Sequence, residues 1–486
     1  MSDAADSGSW LPWRWPGWFC RVLLLMLLLL AVAAAFAVRA WCLSHVPDVA
    51  EPFDVNSFYP GDLPPKQNAF THYLEARSRL ISVTNDWSRK RHEDLLSFRR
   101  DFPRVFEEGL SSLSETELAW LADQRPALDE WRRGTELARA QSFTLAQLSG
   151  PITLNVQPNV LEFITLARIE ALRCEAKGDL NGAWKWCRAC VHFTRHLNMD
   201  AGVTQRRYGC FAHQPTADAI AHWAEHPAVT TDQLRTAMDV VRAEYAKNAP
   251  MSDVLKWNYL NSRQTFASSK WAEDEGWLFR RWPKWSKNAT VLRRPLLWVV
   301  GEPEVFMRLK RQVLVNHLNE IDKPLCERAK LVGESQSLFD PVPRTELRPG
   351  QLTPAQIERA YRQSALGLMI GTFFPLSIKH LDEPVWQERA RQAALEVLLA
   401  AQAYWRDKGE FPESLDQLVP QYLEVVPLDP CDRSGGRLRY RRDSTTNALV
   451  WSVGINGTDE GGVLDLDVKI GGSADVGFVL KVTESK

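Results

Sequence analysis

The chain has little net charge: 59 lysines and arginines against 60 aspartates and glutamates leave -1 over 486 residues. That balance gives no global attraction to nucleic acid or to an acidic surface, and no nucleic-acid partner is expected. Local enzyme signatures are missing too. The sequence has no phosphate-binding P-loop, no Gly-x-Ser-x-Gly elbow, no Gly-x-Gly-x-x-Gly after a strand and no kinase set. The commonest phosphate-, acyl- and dinucleotide-handling classes lose their support, although catalytic sets built from distant residues need no such motif. Nor is there 34-residue self-similarity of the kind that marks a tetratricopeptide array.

What is present begins with an uncharged run, Val22 to Val38, bracketed by Trp15, Trp18 and Arg21 before it and by Arg39 and Trp41 after it. Its length reaches the short end of what spans a bilayer, and Trp/Arg anchors suit the two interfaces. A cleaved signal peptide is the rival, because alanines near the end of the run resemble a cleavage site. The span exceeds a typical signal core, so residues 22–41 are taken as an uncleaved transmembrane anchor. Arg14 and Arg21 precede it, whereas Asp48, Glu51, Asp54 and Asp62 follow. Positive-inside bias then leaves residues 1–21 as a cytoplasmic tail and the bulk of the chain extracytoplasmic, in a bacterial inner membrane facing the periplasm. Of the eight cysteines, all but Cys20 would lie outside, which leaves seven, an odd number, and at least one thiol without an intrachain partner.

Residues 42–66 are proline-rich, acidic and aperiodic, and read as a linker. A helical region is expected over 67–383. Ser114 and Glu117 form a capping box for a helix through about Ala140, with Leu118, Leu121, Leu128, Trp131 and Leu137 on its apolar side. Val160–Ala176 and Leu180–Leu197, split at Lys177-Gly178-Asp179, predict an antiparallel pair whose turn resembles that of tetratricopeptide-like pairs. Helices at about 204–225 and 231–247 follow, the latter capped by Thr230 and Gln233. Residues 250–350 interleave Trp257, Trp271, Trp277, Trp282, Trp285 and Trp298 with arginine and lysine, which suits buried tryptophans stacked by arginines or a membrane interface, the first preferred because Pro283 and Pro295 deny one long amphipathic helix. Helices at about 354–371 and 384–406 close the region, the second with Pro384 at its first position. After Gly409 the period changes to two, giving a hairpin over 438–442 and 448–453 and a last strand from Val476. The fold expected is mainly α: a transmembrane helix, an irregular helical-hairpin bundle or solenoid, and a small α+β module over 384–486.

That module carries a resemblance. An alanine-rich helix runs into Asp407-Lys408-Gly409-Glu410-Phe411-Pro412, then Leu428-Asp429-Pro430, a hairpin, and Trp451-Ser452-Val453-Gly454-Ile455-Asn456-Gly457-Thr458-Asp459-Glu460-Gly461-Gly462. This order resembles the C-terminal half of the major pseudopilins of type II secretion, and the resemblance implies a calcium loop. Ser452, Gly454 and Gly457 match the family's "S-x-G-x-D-G" pattern, with Asn456 where aspartate is usual, and Ala474-Asp475-Val476 resembles its closing "A-D-I". The candidate calcium ligands are therefore Asn456, Asp459, Asp465, Asp467 and Asp475. The rival is a tight Asn456-Gly457 turn with solvated acids. The apolar span lies far upstream of this helix and lacks the family's methylation site, so assembly into a pilus is not implied. The whole arrangement resembles bacterial envelope proteins that join an anchor, a helical region and such a module.

Two further constellations stand out. His222-Trp223-Ala224-Glu225-His226 spells the inverted zincin signature, in which His222 and His226 would hold zinc and Glu225 would activate water. Pro227 follows and disfavours helix at His226, and chance is the preferred explanation. Cys187 and Cys190, with Cys174, His192 and His196, could bind metal, form a disulfide or pack as a buried cluster, the last two preferred. The function expected is a membrane-anchored scaffold or interaction protein with unidentified protein partners. The alternatives are a tethered metallohydrolase and an accessory component of a secretion machine.

Overall fold

The computed structural model describes residues 17–59, 61–80, 105–144, 159–267, 290–318, 320–328, 352–363, 379–464 and 475–482. The segment up to residue 16 expected to be a cytoplasmic tail, the Trp/basic run over 271–289, Leu338 to Gln351, Asp465 and Asp467 lie outside the described residues. In chain order the longer helices are α1 Gly17–Ser44, α2 Ala69–Arg79, α3 Glu115–Asp123, α4 Arg125–Thr135, α5 Val160–Ala176, α6 Leu180–Asn198, α7 Val203–Glu225, α8 Thr231–Tyr245, α9 Met251–Ala267, α10 Thr290–Val299, α11 Glu304–Leu318, α12 Pro354–Gln363 and α13 Lys379–Lys408. The strands β1 Arg439–Arg442, β2 Asn447–Ser452 and β3 Val476–Lys481 form one antiparallel sheet in the order β1-β2-β3. The chain is thus mainly helical, with one apolar N-terminal helix and a small C-terminal sheet.

Two compact units result. The first comprises Met1–Ala50, Ala272–Gln312 and Glu346–Pro375. Its α1 is long and apolar enough to cross a membrane, and none of that apolar stretch is buried by protein. Near the end of the span Arg39 Nη1 donates to the Trp298 carbonyl (2.6 Å) and stacks over the Trp298 ring, which Phe36 meets edge-on. Just beyond, Arg308 Nη1 donates to the carbonyls of Leu43 and Val46, and Arg311 pairs with Asp48 at 2.6 Å. The Arg308 bond gives the Leu43 carbonyl, one of those a helix end leaves without a partner of its own, an acceptor role.

The second unit comprises Glu51–Trp271, Val313–Thr345 and Leu376–Lys486. Its helices begin where local chemistry dictates. Ser114 and Glu117 make a reciprocal capping box at α3, as do Thr230 and Gln233 at α8, and Gly178 takes φ +74° in the α5–α6 turn. The single helix expected from Ser114 to Ala140 is instead two, because Pro126 starts a new helix after Gln124. Leu121, Leu128 and Trp131 are buried as expected, whereas Leu118 is exposed. Trp131 stacks flat on Phe163 at 5.9 Å and meets Phe193 edge-on, joining α4, α5 and α6. Part of the expected linker also packs: Phe53, Phe58 and Tyr59 surround Trp257 and Leu260 of α9.

α13 is the spine of this unit. It starts at Lys379, so Pro384 stands inside its first turns and not at its first position. Ala394, Leu395, Val397, Leu398, Leu399, Ala400 and Ala401 are all buried, and a helix apolar all round needs cover on every side. α7 and α8 cover one side and the sheet the other, so residues from Ala69 to Leu480 share one core. Arg406 reaches from α13 to the carbonyls of Ala224, His226 and Val229 (3.2, 2.9 and 3.0 Å), closing the end of α7. Opposite Trp451, Gly477 leaves room for β2, since a Cβ there would run into the Val450 carbonyl.

Candidate functional site

The Asp407–Pro412 turn and the Leu428-Asp429-Pro430 segment are built around main-chain groups. Gly409, at φ +79°, donates to the Trp405 carbonyl and ends α13, while Tyr440 Oη donates to the Pro412 carbonyl at 2.7 Å. The Asp429 carboxylate is wholly buried and accepts from Ser452 Oγ (2.6 Å), the amides of Val453 and Cys431 (both 2.9 Å) and Arg439 Nη1 (3.2 Å). It therefore ties the first residues of the glycine-rich loop to the β1 side of the hairpin.

In that loop Gly454, Gly457, Gly461 and Gly462 all take positive φ, which a side chain would resist. Asp459 Oδ1 accepts from Trp451 Nε1 (2.9 Å) and the Gly461 amide (3.0 Å), and these bonds hold its carboxyl below the usual range. Asn456 Oδ1 accepts from the Thr458 amide, and its Nδ2 donates to Glu460 Oε1 at 2.7 Å. Asp475 is only 2% exposed and accepts from the amides of Gly462 (2.8 Å) and Glu460 (3.4 Å). Desolvation pushes its carboxyl up and outweighs the two amides, with the Glu460 carboxylate adding to the rise. Glu460 Oε2 is buried with no donor among the described residues. The structure thus brings Asp475 together with Glu460, a residue the sequence did not single out, while Asp459 and Asn456 are engaged in turn hydrogen bonds. Two facing carboxylates supply oxygen ligands of the kind a hard cation takes, but only part of the six to eight that calcium binds. Among the described residues no group of three or more His, Cys, Asp or Glu side chains is placed to hold a metal.

The histidine motif is divided. His222 and Glu225 lie in the last turn of α7 and line a cleft of about 410 Å³ between α5, α7 and β3. His222 Nδ1 is 3.1 Å from Glu175 Oε2, and that bond raises the imidazole pKa against partial desolvation, favouring the protonated ring that cannot ligate metal. Desolvation raises the Glu225 carboxyl as well, with Lys481 and His222 opposing. His226 sits one residue past the helix, at φ -65° and ψ 124°, where its Nδ1 accepts from the Ala228 amide, and it does not line the cleft. Pro227 has the effect expected of it.

The cysteine cluster packs as core. Cys187 and Cys190 are buried, and all eight cysteines are free thiols. Burial pushes Cys187 well up and Cys190 to about 12, so neither offers a thiolate. His192 Nδ1 bonds the Thr135 carbonyl, and His196 is held between Tyr73 Oη (2.6 Å) and Arg195 Nη2 (2.7 Å).

A second cleft of about 460 Å³ adjoins the first, and Arg168, Gln214, Asp218 and Arg391 line both. Beneath it lies a buried polar network: Arg206 Nη1 is 2.5 Å from Glu388 Oε2, with Cys210 and Asn198 bonded to the same pair. Sequence reasoning missed these arginines, yet a signal existed. Arg168 stands between Ile164 and Ala171 on the buried stripe of α5, and Arg391 between Glu388 and Ala394 on that of α13, places where a charge needs a reason. Comparison of the chain with protein-family models, curated proteins and solved structures finds no match.

Proposed function

We propose that the protein is a single-pass, membrane-anchored scaffold or interaction protein whose second unit works outside the cytoplasm. The observation that carries this is α1, an apolar helix whose hydrophobic stretch has no residue buried by the described protein. Its neighbours Arg39, Trp41 and Trp298 are side chains that settle at a bilayer interface. The test is extraction of membranes at alkaline pH, followed by protease treatment of intact spheroplasts. Retention in the membrane with digestion of everything beyond the anchor supports the reading. Release into the soluble fraction, or full protection from protease, overturns it.

We further propose that residues 384–486 are a pseudopilin-like module steadied by calcium. Glu460 and Asp475 would contribute ligands to the ion, which gives Glu460 Oε2 the partner that no described residue supplies. α13 belongs to the core of the whole second unit, so the full chain is the right sample. At a hundredfold excess over Kd, binding adds about 2.7 kcal/mol, or roughly 5 °C in Tm for a unit of this size. Millimolar calcium should raise Tm by that amount over EDTA, and Glu460→Gln or Asp475→Asn should remove the rise. Coincident wild-type melts would leave the loop as a hydrogen-bonded turn.

A further inference from the structure

We propose that Arg168 and Arg391 form a receptor for an oxyanion, the carboxylate or phosphate group of a small ligand that enters the cleft between α5, α7 and β3. The two guanidinium groups come from different helices, α5 and α13, and line the same two adjoining clefts. Among the described residues Arg168 makes no hydrogen bond and no ion pair. Its Nε is buried without an acceptor, and its guanidinium lies 3.7 Å from the centre of the Phe106 ring. Arg391, whose side chain is 15% exposed, has Asp218 at 3.7 Å, beyond hydrogen-bonding distance.

Guanidinium groups in such places are normally forked onto a carboxylate or a phosphate, because each carries five donors that burial strips of water. Here one carboxylate, Asp218, is shared between two of them, and burial depresses both arginines from their ordinary value. The other acids of the cleft are committed elsewhere: Glu175 to His222, and Asp475 to the Gly462 amide. Glu225 feels chiefly Lys481 and His222. What remains unmatched among the described residues is donor capacity, and an oxyanion supplies what it needs. The cleft, about 410 Å³, suits a small molecule, with Leu172, Leu464 and Phe478 offering apolar wall. Asp475 borders this cleft as well as the glycine-rich loop, but the inference rests on the two arginines and does not require calcium.

The test uses the full chain in detergent micelles, titrated with inorganic phosphate and with succinate, each against sodium chloride of equal ionic strength, by calorimetry and thermal melting. Saturable binding of phosphate alone assigns a phosphorylated ligand, and of succinate alone a carboxylate ligand. Arg168→Gln and Arg391→Gln should each weaken binding about tenfold or more, the loss expected for charge-assisted hydrogen bonds. Asp218→Asn should tighten it, because the internal carboxylate no longer competes. That last variant decides the matter if the arginine variants fail to fold: affinity unchanged or weaker in Asp218→Asn overturns the proposal. So does wild-type melting that follows the chloride control for both anions, or binding that survives both arginine replacements.

Discussion

Replacing Glu388 by Gln tests whether α13 is held to α7 by a buried charge pair. The two side chains are 4% and 1% exposed, and the carboxylate of Glu388 is the only charged partner that Arg206 meets among the described ion pairs. Asn198 Nδ2 and Gln392 Nε2 also donate to Glu388 Oε1, at 3.3 and 3.2 Å, and Cys210 donates to Oε2 at 3.2 Å. Glutamine keeps the shape but strands the Arg206 charge and turns donors toward donors. Breaking one side of a buried pair costs about 3–5 kcal/mol. For a unit of this size that is a Tm loss of roughly 6–10 °C, read by tryptophan fluorescence of the full chain in micelles. The double variant Arg206→Leu with Glu388→Leu should recover most of the loss, because packing then replaces a desolvated pair. Desolvation pushes the Glu388 carboxyl up, but Arg206 and then His213 outweigh it and hold it below its ordinary 4.5. The stability from this shift is therefore present above pH 4.5 and lost as pH falls through the lower folded value, a loss absent in Glu388→Gln. A Tm change under about 2 °C for Glu388→Gln, or a double variant no better than the sum of the singles, would refute this account.

His213, buried in α7 with neither ring nitrogen bonded among the described residues, is pushed by burial from 6.5 to about 4. The unfolded chain takes up a proton between those values that the folded chain refuses, so stability should fall by about 3 kcal/mol as pH drops from 6.5 to 4. His213→Leu should flatten that slope and raise Tm at pH 5; a parallel slope in the variant would show that another group titrates. Asp429→Asn should cost about 3 kcal/mol, since its amide would oppose the Val453 and Cys431 amides, and hydrogen exchange at Val453 should accelerate. Unchanged exchange there would remove Asp429 from its role in the loop.

Much of the helical order was legible because its causes are local. Ser114 with Glu117, Thr230 with Gln233 and Gly178 act on their own turns, and α5, α6, α7 and α8 fall within a residue or two of expectation. The break at Pro126 is equally local, since proline favours the first turn of a new helix. For the sites, Pro227 rightly set His226 apart from His222, and the loop glycines marked a turn-rich segment. What could not be read was partnership: Glu175 with His222, Glu460 with Asp475, Arg206 with Glu388 and Arg168 beside Arg391 join residues from separate elements.

The sequence by itself determined an apolar N-terminal helix, the periodicity of the helices that follow and the switch to strands after Gly409, because hydrophobic period and capping depend only on neighbours in the chain. Only the tertiary structure decided that α13 serves the helices and the sheet at once, and which buried charges meet. Those outcomes depend on how far each group is removed from water, and that is settled when distant segments pack.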